Sequence, residues 1–230
     1  MDSLEKLEAE VVACRACPRL VAWREQVAIE KRAAFSHETY WERPIPGFGD
    51  PGARLVLVGL APAAHGGNRT GRVFTGDRSG DWVFRALWRA GFANQPTSDS
   101  RDDGLRLTDA WVTAAVRCAP PANRPTPVER DTCLPYLGRE LALLTDLAVV
   151  VVLGKFAHDA VARLLDLRPR PRFAHLAEHR LARAPFGHGA GSRTLLCSYH
   201  PSQQNTFTGT LTEPAFDAVF SRARELIEAG

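Results

Sequence analysis

Four short apolar runs predict the strands of a sheet, at residues 53–60, 110–117, 147–153 and 194–198. The third run is apolar at every position, which is typical of a central strand that is buried on both faces. Helical spacing or helix-start signals mark residues 3–32, 80–91, 156–165 and the segments that begin at Thr126 and Thr212. Because strands alternate with helices, we expect an α/β fold. The prediction is one domain over residues 1–230, an α/β/α sandwich around a central, mainly parallel four-stranded sheet.

Local signals sharpen some of these boundaries. Residues 126–129, Thr-Pro-Val-Glu, form a capping box with proline at the first helical position, so a helix begins there. The segment from Cys14 to Cys17 interrupts the helical pattern of residues 3–32. Residues 33–52 are rich in proline and glycine, and residues 166–192 are rich in arginine, so both are expected to be loops.

Three of the predicted strands run into polar segments, at residues 59–77, 118–124 and 199–205. Ligands of parallel sheets bind beyond the carboxyl ends of the strands, so these segments are candidate binding loops. The first is long for a connection that leaves a buried strand, which is typical of either a functional or a disordered loop. Its glycines allow close approach of a ligand, and Phe74 offers one aromatic ring on which a flat base can stack.

The chain has 230 residues and a formal net charge of +3, which alone says little about nucleic acid. The charge is unevenly distributed, because residues 163–193 hold seven arginines against Asp166 and Glu178. This segment is either a solvated loop or a surface that binds an anionic partner. We expect no membrane partner and a cytoplasmic location, since no apolar run reaches the roughly 18 residues of a membrane span and the amino terminus lacks an apolar signal core.

Four cysteines fall into two pairs, Cys14-x2-Cys17 and Cys118-x14-Cys133. In a reducing compartment, grouped cysteines more often hold a metal than form disulfides. No histidine lies near either pair, so the ligands would be four thiolates, which suit zinc or an iron–sulfur cluster. The alternative is four unrelated buried cysteines. Cys197 lies within a predicted strand and is assigned to the core.

Four segments together resemble the family 5 uracil-DNA glycosylases. They are Gly-Leu-Ala-Pro-Ala at 59–63, Gly-Arg-Val-Phe-Thr-Gly-Asp at 71–77, Arg-Cys-Ala-Pro-Pro-Ala-Asn-Arg-Pro-Thr at 117–126 and His-Pro-Ser-Gln-Gln-Asn at 200–205. The resemblance extends from Cys14 to the terminal helix. It implies a [4Fe-4S] cluster on Cys14, Cys17, Cys118 and Cys133, which favours iron–sulfur over zinc. It also implies that double-stranded DNA containing uracil or other deaminated bases is the substrate of a monomeric enzyme, and it makes the arginine-rich segment a plausible DNA-facing loop.

The chain departs from the wider glycosylase superfamily at three positions. Ala61 stands where other families place an acidic or amide residue, Ala63 where many place a tyrosine, and Ala114 where many place an asparagine. Each departure removes a water-activating group or a contact that discriminates between bases. The resemblance implies two substitutes, Asp77 and Asn123.

The resemblance, together with positions at strand ends, leads us to expect the following roles. Phe74 would stack on the flipped base, His200 would donate a hydrogen bond to a base carbonyl, and Asp77 would position water and stabilise the cationic sugar. Asp77 has an alternative role as a helix cap, and a lone histidine such as His200 is commonly structural. The catalytic set is Asp77, His200 and Asn123, and the substrate-binding set is Gly59, Ala61, Ala63, Phe74, Ala114, Gln204 and Asn205.

These observations favour a base-excision repair glycosylase that flips and hydrolytically removes uracil. Two other functions are compatible with four cysteines and a basic segment: a non-catalytic iron–sulfur DNA-binding protein, and a redox enzyme. The polar loop with Phe74 and Asp77, opposite His200, argues against both.

Overall fold

The computed structural model describes residues 2–181 and 193–229. Its helices and strands follow in chain order: α1 (Leu4–Ala13), α2 (Pro18–Glu30), β1 (Phe48–Gly49), β2 (Leu55–Gly59), α3 (Gly67–Thr70), α4 (Arg78–Arg89), β3 (Ala110–Ala114), α5 (Pro127–Leu143), β4 (Val149–Leu153), α6 (Gly154–Leu164), β5 (Glu178–Leu181), β6 (Arg193–Ser198), α7 (Gln203–Phe207) and α8 (Glu213–Glu228). Short 3-10 turns lie at Ala33–Phe35 and Pro121–Asn123.

The strands form one sheet in the order β1-β3-β2-β4-β6-β5. The inner four strands, β3, β2, β4 and β6, are parallel to one another and are the four predicted from the sequence. The predicted α/β class with a mainly parallel sheet is confirmed, but the sheet has six strands rather than four. The two additional strands are antiparallel and lie at the edges.

The edge strands escape the hydrophobic pattern for a physical reason. An edge strand pairs along one side only, so it can be short and polar. Strand β1 has two residues, and β5 reads Glu-His-Arg-Leu with only Leu181 buried. Neither presents the apolar run that marked the inner strands.

Alternate residues of the inner strands build a core on each face of the sheet. On one face, Val149 and Val151 of β4 pack with Phe84 of α4 and Phe220 of α8. On the other face, neighbouring valines of β4 pack in a second cluster, against α5 and α6. The arrangement is the expected α/β/α sandwich.

Local signals behave largely as the sequence indicates. Thr126 and Glu129 form the predicted capping box at the start of α5. Helix α6 begins at Gly154, earlier than predicted, because Gly154 has a φ of +84° and turns the chain directly out of β4. In the described ranges, no helix is both long and apolar enough to cross a membrane.

Candidate active site

The carboxyl ends of β2, β4 and β6 open into a cleft of about 1050 Å³. Its walls come from the segment after β2, the 3-10 turn after β3, the first turn of α6 and the segment from β6 into α7. Eight of the ten predicted catalytic and substrate-binding residues line it: Ala61, Ala63, Phe74, Asp77, Asn123, His200, Gln204 and Asn205. The predicted residues therefore converge on one edge of the sheet.

The other two residues, Gly59 and Ala114, lie behind the aromatic wall of the cleft. Gly59 pairs with Ala114 where β2 and β3 end, and Ala114 is buried in the same core cluster as Phe74. A side chain on Gly59 would begin 2.6 Å from Cζ of Phe74, so the ring rests directly on the Gly59 backbone. Gly59 therefore acts on the cleft through Phe74.

Phe74 is held in an unusual conformation. Its φ is +54°, in the left-handed region that a non-glycine residue occupies at a cost of about 1–3 kcal/mol. Only 7% of its surface is exposed, and its ring centroid lies 6.1 Å from that of His200 at an interplanar angle of 39°. The strained backbone therefore directs one ring into the cleft beside the predicted catalytic histidine.

Asp77 is both a helix cap and a cleft residue. Its Oδ1 accepts a hydrogen bond of 3.0 Å from the Gly80 amide at the start of α4, which confirms the capping alternative. Its Oδ2 packs against Gly66, where any side chain would collide with it. Burial raises the pKa of the Asp77 carboxyl, and Asp77 forms no ion pair with any described residue. The carboxylate is thus available to act on a bound molecule.

His200 is fixed through its backbone. Its carbonyl oxygen accepts hydrogen bonds of 2.8 Å from the Asn205 side-chain amide and from the Ser202 backbone amide. A side chain on Gly154 would come within 3.2 Å of the His200 Cβ, so this glycine also gives the histidine room. Burial lowers the pKa of His200 to about 4, so the imidazole is neutral at pH 7 and carries one N–H donor.

The remaining predicted residues differ in what they do. Asn123 is exposed in a 3-10 turn and has a φ of +55°. Gln204 is exposed on α7, where it faces the cleft. Asn205 is partly buried and bonds to His200, so it positions the histidine rather than presenting its amide to a ligand.

Sequence reasoning missed several residues at the mouth of the cleft. Arg32, Arg78 and Lys155 line it, and the two arginines form no ion pair with any described residue. Phe207, at the end of α7, is 65% exposed and lies under the Arg78 guanidinium at 4.3 Å. Arg78 could have been found from its place directly after Asp77, but nothing in the sequence separates Phe207 from a core phenylalanine.

The arginine-rich segment does not surround the cleft as a block. Helix α6 begins at the cleft and runs away from it for 11 residues, about 16 Å at 1.5 Å per residue. Arg163 and Arg168 therefore lie towards the opposite end of the sheet, paired with Asp131 and Asp166. Arg193 is buried at the start of β6, where it donates to the Leu147 carbonyl.

Four members of the segment remain to be placed. Arg170 lies beside Arg168, Arg172 adjoins the cleft residue Phe173 in the chain, and Arg180 lies in the edge strand β5. Arg183 lies outside the described residues. The basic side chains of Arg32, Arg78 and Lys155 line the cleft, and a DNA-facing role of the arginine-rich segment stays a prediction.

The four paired cysteines line one cavity on the α5 side of the sheet. Cys14 ends α1, Cys17 caps α2, Cys118 follows β3 and Cys133 lies within α5. No disulfide joins them, and among the described residues no three histidine, cysteine, aspartate or glutamate side chains are close enough to hold a metal ion. Burial raises the pKa of Cys118 to about 12 and also raises that of Cys133.

Ala61 connects this cysteine cavity to the cleft. It lines the cleft and also packs on the cluster of Leu20, Val116 and Cys118. Cys197 is fully buried in β6, as expected of a core residue.

Comparison with known proteins agrees with this arrangement. Residues 46–224 match the family model of the uracil DNA glycosylase superfamily. The type-5 uracil-DNA glycosylase of Mycobacterium bovis is 52% identical over 97% of this chain and 82% of its own length, and that of Thermus thermophilus is 51% identical over 94% of both chains. The type-4 uracil-DNA glycosylase of Archaeoglobus fulgidus is more distant, with 30% identity over 73% of this chain and 67% of its own. The chain therefore belongs to the uracil-DNA glycosylase superfamily, in its type-5 group.

Proposed function

We propose that this protein removes uracil, and other deaminated bases, from double-stranded DNA by hydrolysis of the N-glycosidic bond. The observation that carries the proposal is the convergence of Phe74, Asp77 and His200 on one cleft at the carboxyl edge of the sheet. A base must leave the stack to enter such a cleft, and unpairing is easiest for a mismatched or damaged base.

Phe74 is the stacking platform for the flipped base. Its ring is fixed from behind by Gly59, and stacking on an aromatic side chain contributes about 1–3 kcal/mol per base. A platform that cannot retreat holds the base in one plane, which sets the position of its carbonyl oxygens relative to His200.

Asp77 and His200 act at the two ends of the breaking bond. The sugar becomes cationic as the base departs with negative charge. The Asp77 carboxylate stabilises the sugar and accepts a proton from the water that adds to C1′. The neutral His200 imidazole donates a hydrogen bond to the base carbonyl, where negative charge develops.

The base pocket should be permissive. Ala61, Ala63 and Ala114 carry no group that could hydrogen-bond to the edge of a base, and selectivity built on such bonds is lost when they are absent. Asn123 is the amide best placed to contact base or water, because it lines the cleft and is exposed. We infer that bases such as hypoxanthine are accepted as well as uracil.

The mouth of the cleft is suited to duplex DNA. Arg32, Arg78 and Lys155 supply cationic side chains for phosphates. Gln204 and Phe207 project from α7 beside them, and an exposed aromatic ring at this place can fill the gap that a flipped base leaves in the stack. Phe207 and the neighbouring exposed Gln204 are therefore candidates for insertion into the duplex.

We further propose that Cys14, Cys17, Cys118 and Cys133 hold a [4Fe-4S] cluster. The donor set fits, because four thiols without a nearby histidine line a single cavity. A buried guanidinium supports an anionic occupant: Nε of Arg24 has no hydrogen-bond partner, and its Nη1 donates to Cys118 Sγ at 3.0 Å. When bound, the cluster would tie the α1–α2 junction to β3 and α5, and hydrolysis needs no electron from it.

A single-turnover assay tests the proposed reaction. A duplex with one uracil should give free uracil and an abasic site, whereas matched undamaged duplex should not react. Duplexes with hypoxanthine in place of uracil test the range of bases. Binding of uracil-containing duplex without cleavage would instead identify a non-catalytic DNA-binding protein. Iron and sulfide analysis of the same preparation tests the cluster, with stoichiometric zinc as the contrary result.

A further inference from the structure

Among the described residues, two arginines are at most 2% exposed, and their electrostatic environments differ. Arg117 is 1% exposed, and its guanidinium donates to both carboxylate oxygens of the buried Glu140, at 3.3 and 2.5 Å. Arg24 is 2% exposed and has no comparable carboxylate. The same fold therefore gives one buried cation a matched anion and leaves the other without one.

The contacts of Arg24 are few and mostly neutral. Nη1 donates to Cys118 Sγ at 3.0 Å, and both Nη atoms lie 3.5 Å from the Cys14 carbonyl oxygen. The nearest carboxylate oxygen belongs to Glu25, at 4.0 Å, and it is already engaged by Arg15 at 2.5 Å. Among the described residues, Nε of Arg24 has no hydrogen-bond partner; the same is true of Nε of Arg117, so the difference between the two arginines is the carboxylate that only Arg117 has.

A buried cation with such partners is unfavourable unless an anion lies beside it. The side chain at hydrogen-bond distance is a cysteine of the four-thiol cavity, and a neutral thiol does not supply the charge. A bound metal replaces the protons of the thiols, and four thiolates outweigh the positive charge of a zinc ion or a cluster core, which leaves a net anion.

We propose that Arg24 is the counter-ion of the four-cysteine centre, holding its negative charge inside the protein and donating a hydrogen bond to the Cys118 thiolate. The inference rests on the proposed cluster. Arg24 is a positioning residue and touches no part of the substrate.

Three variants separate charge from packing. Arg24→Gln removes the charge but keeps an N–H donor, and Arg24→Lys keeps the charge but loses the planar guanidinium. Arg168→Gln is the control, because it makes the same chemical change at a side chain that is 83% exposed and lies towards the opposite end of the sheet. The full-length proteins are compared by iron content, by the rate at which absorbance near 400 nm (roughly the range of thiolate-bound clusters) bleaches in a chelator, and by the reduction potential of the centre.

Arg24→Gln should lose the cluster about 10–100 times faster than wild type, as expected for a partner of a metal ligand. Its reduction potential should fall, since an electron is harder to add once a nearby positive charge is gone. Arg24→Lys should retain the wild-type potential, and Arg168→Gln should match wild type in every measurement. If Arg24→Gln does not fold, Arg24→Met takes its place, because an apolar side chain of similar length also lacks the charge and leaves no polar group unpaired. A lowered potential in Arg24→Met supports the counter-ion role, and an unchanged one overturns it.

A merely structural arginine gives a different pattern. The proposal would be overturned if Arg24→Gln and Arg24→Lys bleached at the same rate as each other and both kept the wild-type potential. It would also be overturned if Arg24→Gln bleached at the wild-type rate. If wild-type protein contains neither iron nor zinc, the proposed centre itself fails. Metal-loaded wild type with an unaffected Arg24→Gln would refute only the counter-ion.

Discussion

Substitution of Gly59 by alanine tests whether the aromatic platform controls excision. Gly59 lies at the end of β2 and its φ is not in the left-handed region, so alanine is compatible with the backbone. The new methyl group would lie 2.6 Å from Cζ and 2.8 Å from Cε2 of Phe74, with Thr113 O at 3.6 Å. The substitution therefore acts on one target, the Phe74 ring.

The size of the effect follows from these distances. Carbon atoms pack best at about 3.5–4.0 Å, so the ring must move by roughly 1 Å. A misplacement of about 1 Å can slow an enzyme about 10²-fold. Complete loss of stacking, at about 1–3 kcal/mol, sets a range of roughly 5- to 150-fold. Overpacking should also lower the free energy of unfolding by about 1–3 kcal/mol.

The assay is single-turnover release of uracil from a mismatched duplex, with Tm measured in parallel. Gly52→Ala is the control, because its nearest new contact would be Asp50 Oδ1 at an ordinary 3.5 Å. Phe74→Ala should itself slow excision within the same range, and adding Gly59→Ala to it should cost nothing further, since the two changes act on one ring. Wild-type excision by Gly59→Ala, or additive losses in the double variant, would refute the platform.

The remaining predictions concern charge and the mouth of the cleft. Because burial raises the pKa of Asp77, the ionised form of this carboxyl destabilises the fold above that pKa, and the destabilisation is relieved as the pH falls through it. Asp77→Asn should therefore raise Tm at pH 7, and it should slow excision about 10²–10⁴-fold. A lower Tm together with normal excision would contradict both expectations. Wild-type activity should fall on acidification at a pH above the ordinary aspartate pKa of about 3.9, and a wild type fully active down to that pH would count against a catalytic carboxylate. Phe207→Ala should slow excision from duplex but not from single strands, with Val128→Ala, an exposed residue at the start of α5, as control; equal losses on both substrates would exclude insertion. Arg78→Ala should reduce the slope of log affinity against log salt by about 1, whereas Arg168→Ala should leave it unchanged.

The hydrophobic pattern predicts the inner strands of the sheet. It predicts neither the edge strands nor where a helix carries its side chains relative to the cleft. Burial on both faces forces β4 to be apolar throughout, and that demand is visible in the sequence. The edge strand β5 need not be apolar on both faces, so its sequence predicts a loop rather than a strand. The arginine segment shows the second limit, because charge density along the chain does not reveal that α6 carries Arg163 away from the cleft.

The residues that form the cleft could be predicted from the sequence, but the role of each residue could not. Motifs at strand ends identified Gly59, Asn205 and His200, since strand ends meet at one edge. Their contacts depend on backbone geometry: Gly59 matters through the Phe74 ring, and Asn205 through the carbonyl of His200. Phe207 was missed because an exposed and a buried phenylalanine are identical in sequence.

The cleft keeps its two central groups in environments that oppose charge. Burial favours the protonated form of Asp77 and the neutral form of His200. The cost of the ionised Asp77 carboxylate is offset when the sugar becomes cationic, and the neutral His200 keeps an N–H for the departing base. The strained Phe74 fixes the base between them before any charge forms. The Asp77 carboxylate is destabilised by burial in the empty protein, and the cationic sugar compensates it in the transition state. Such a group lowers the barrier to bond cleavage without tightening the binding of undamaged DNA, which is the selectivity that a repair glycosylase requires.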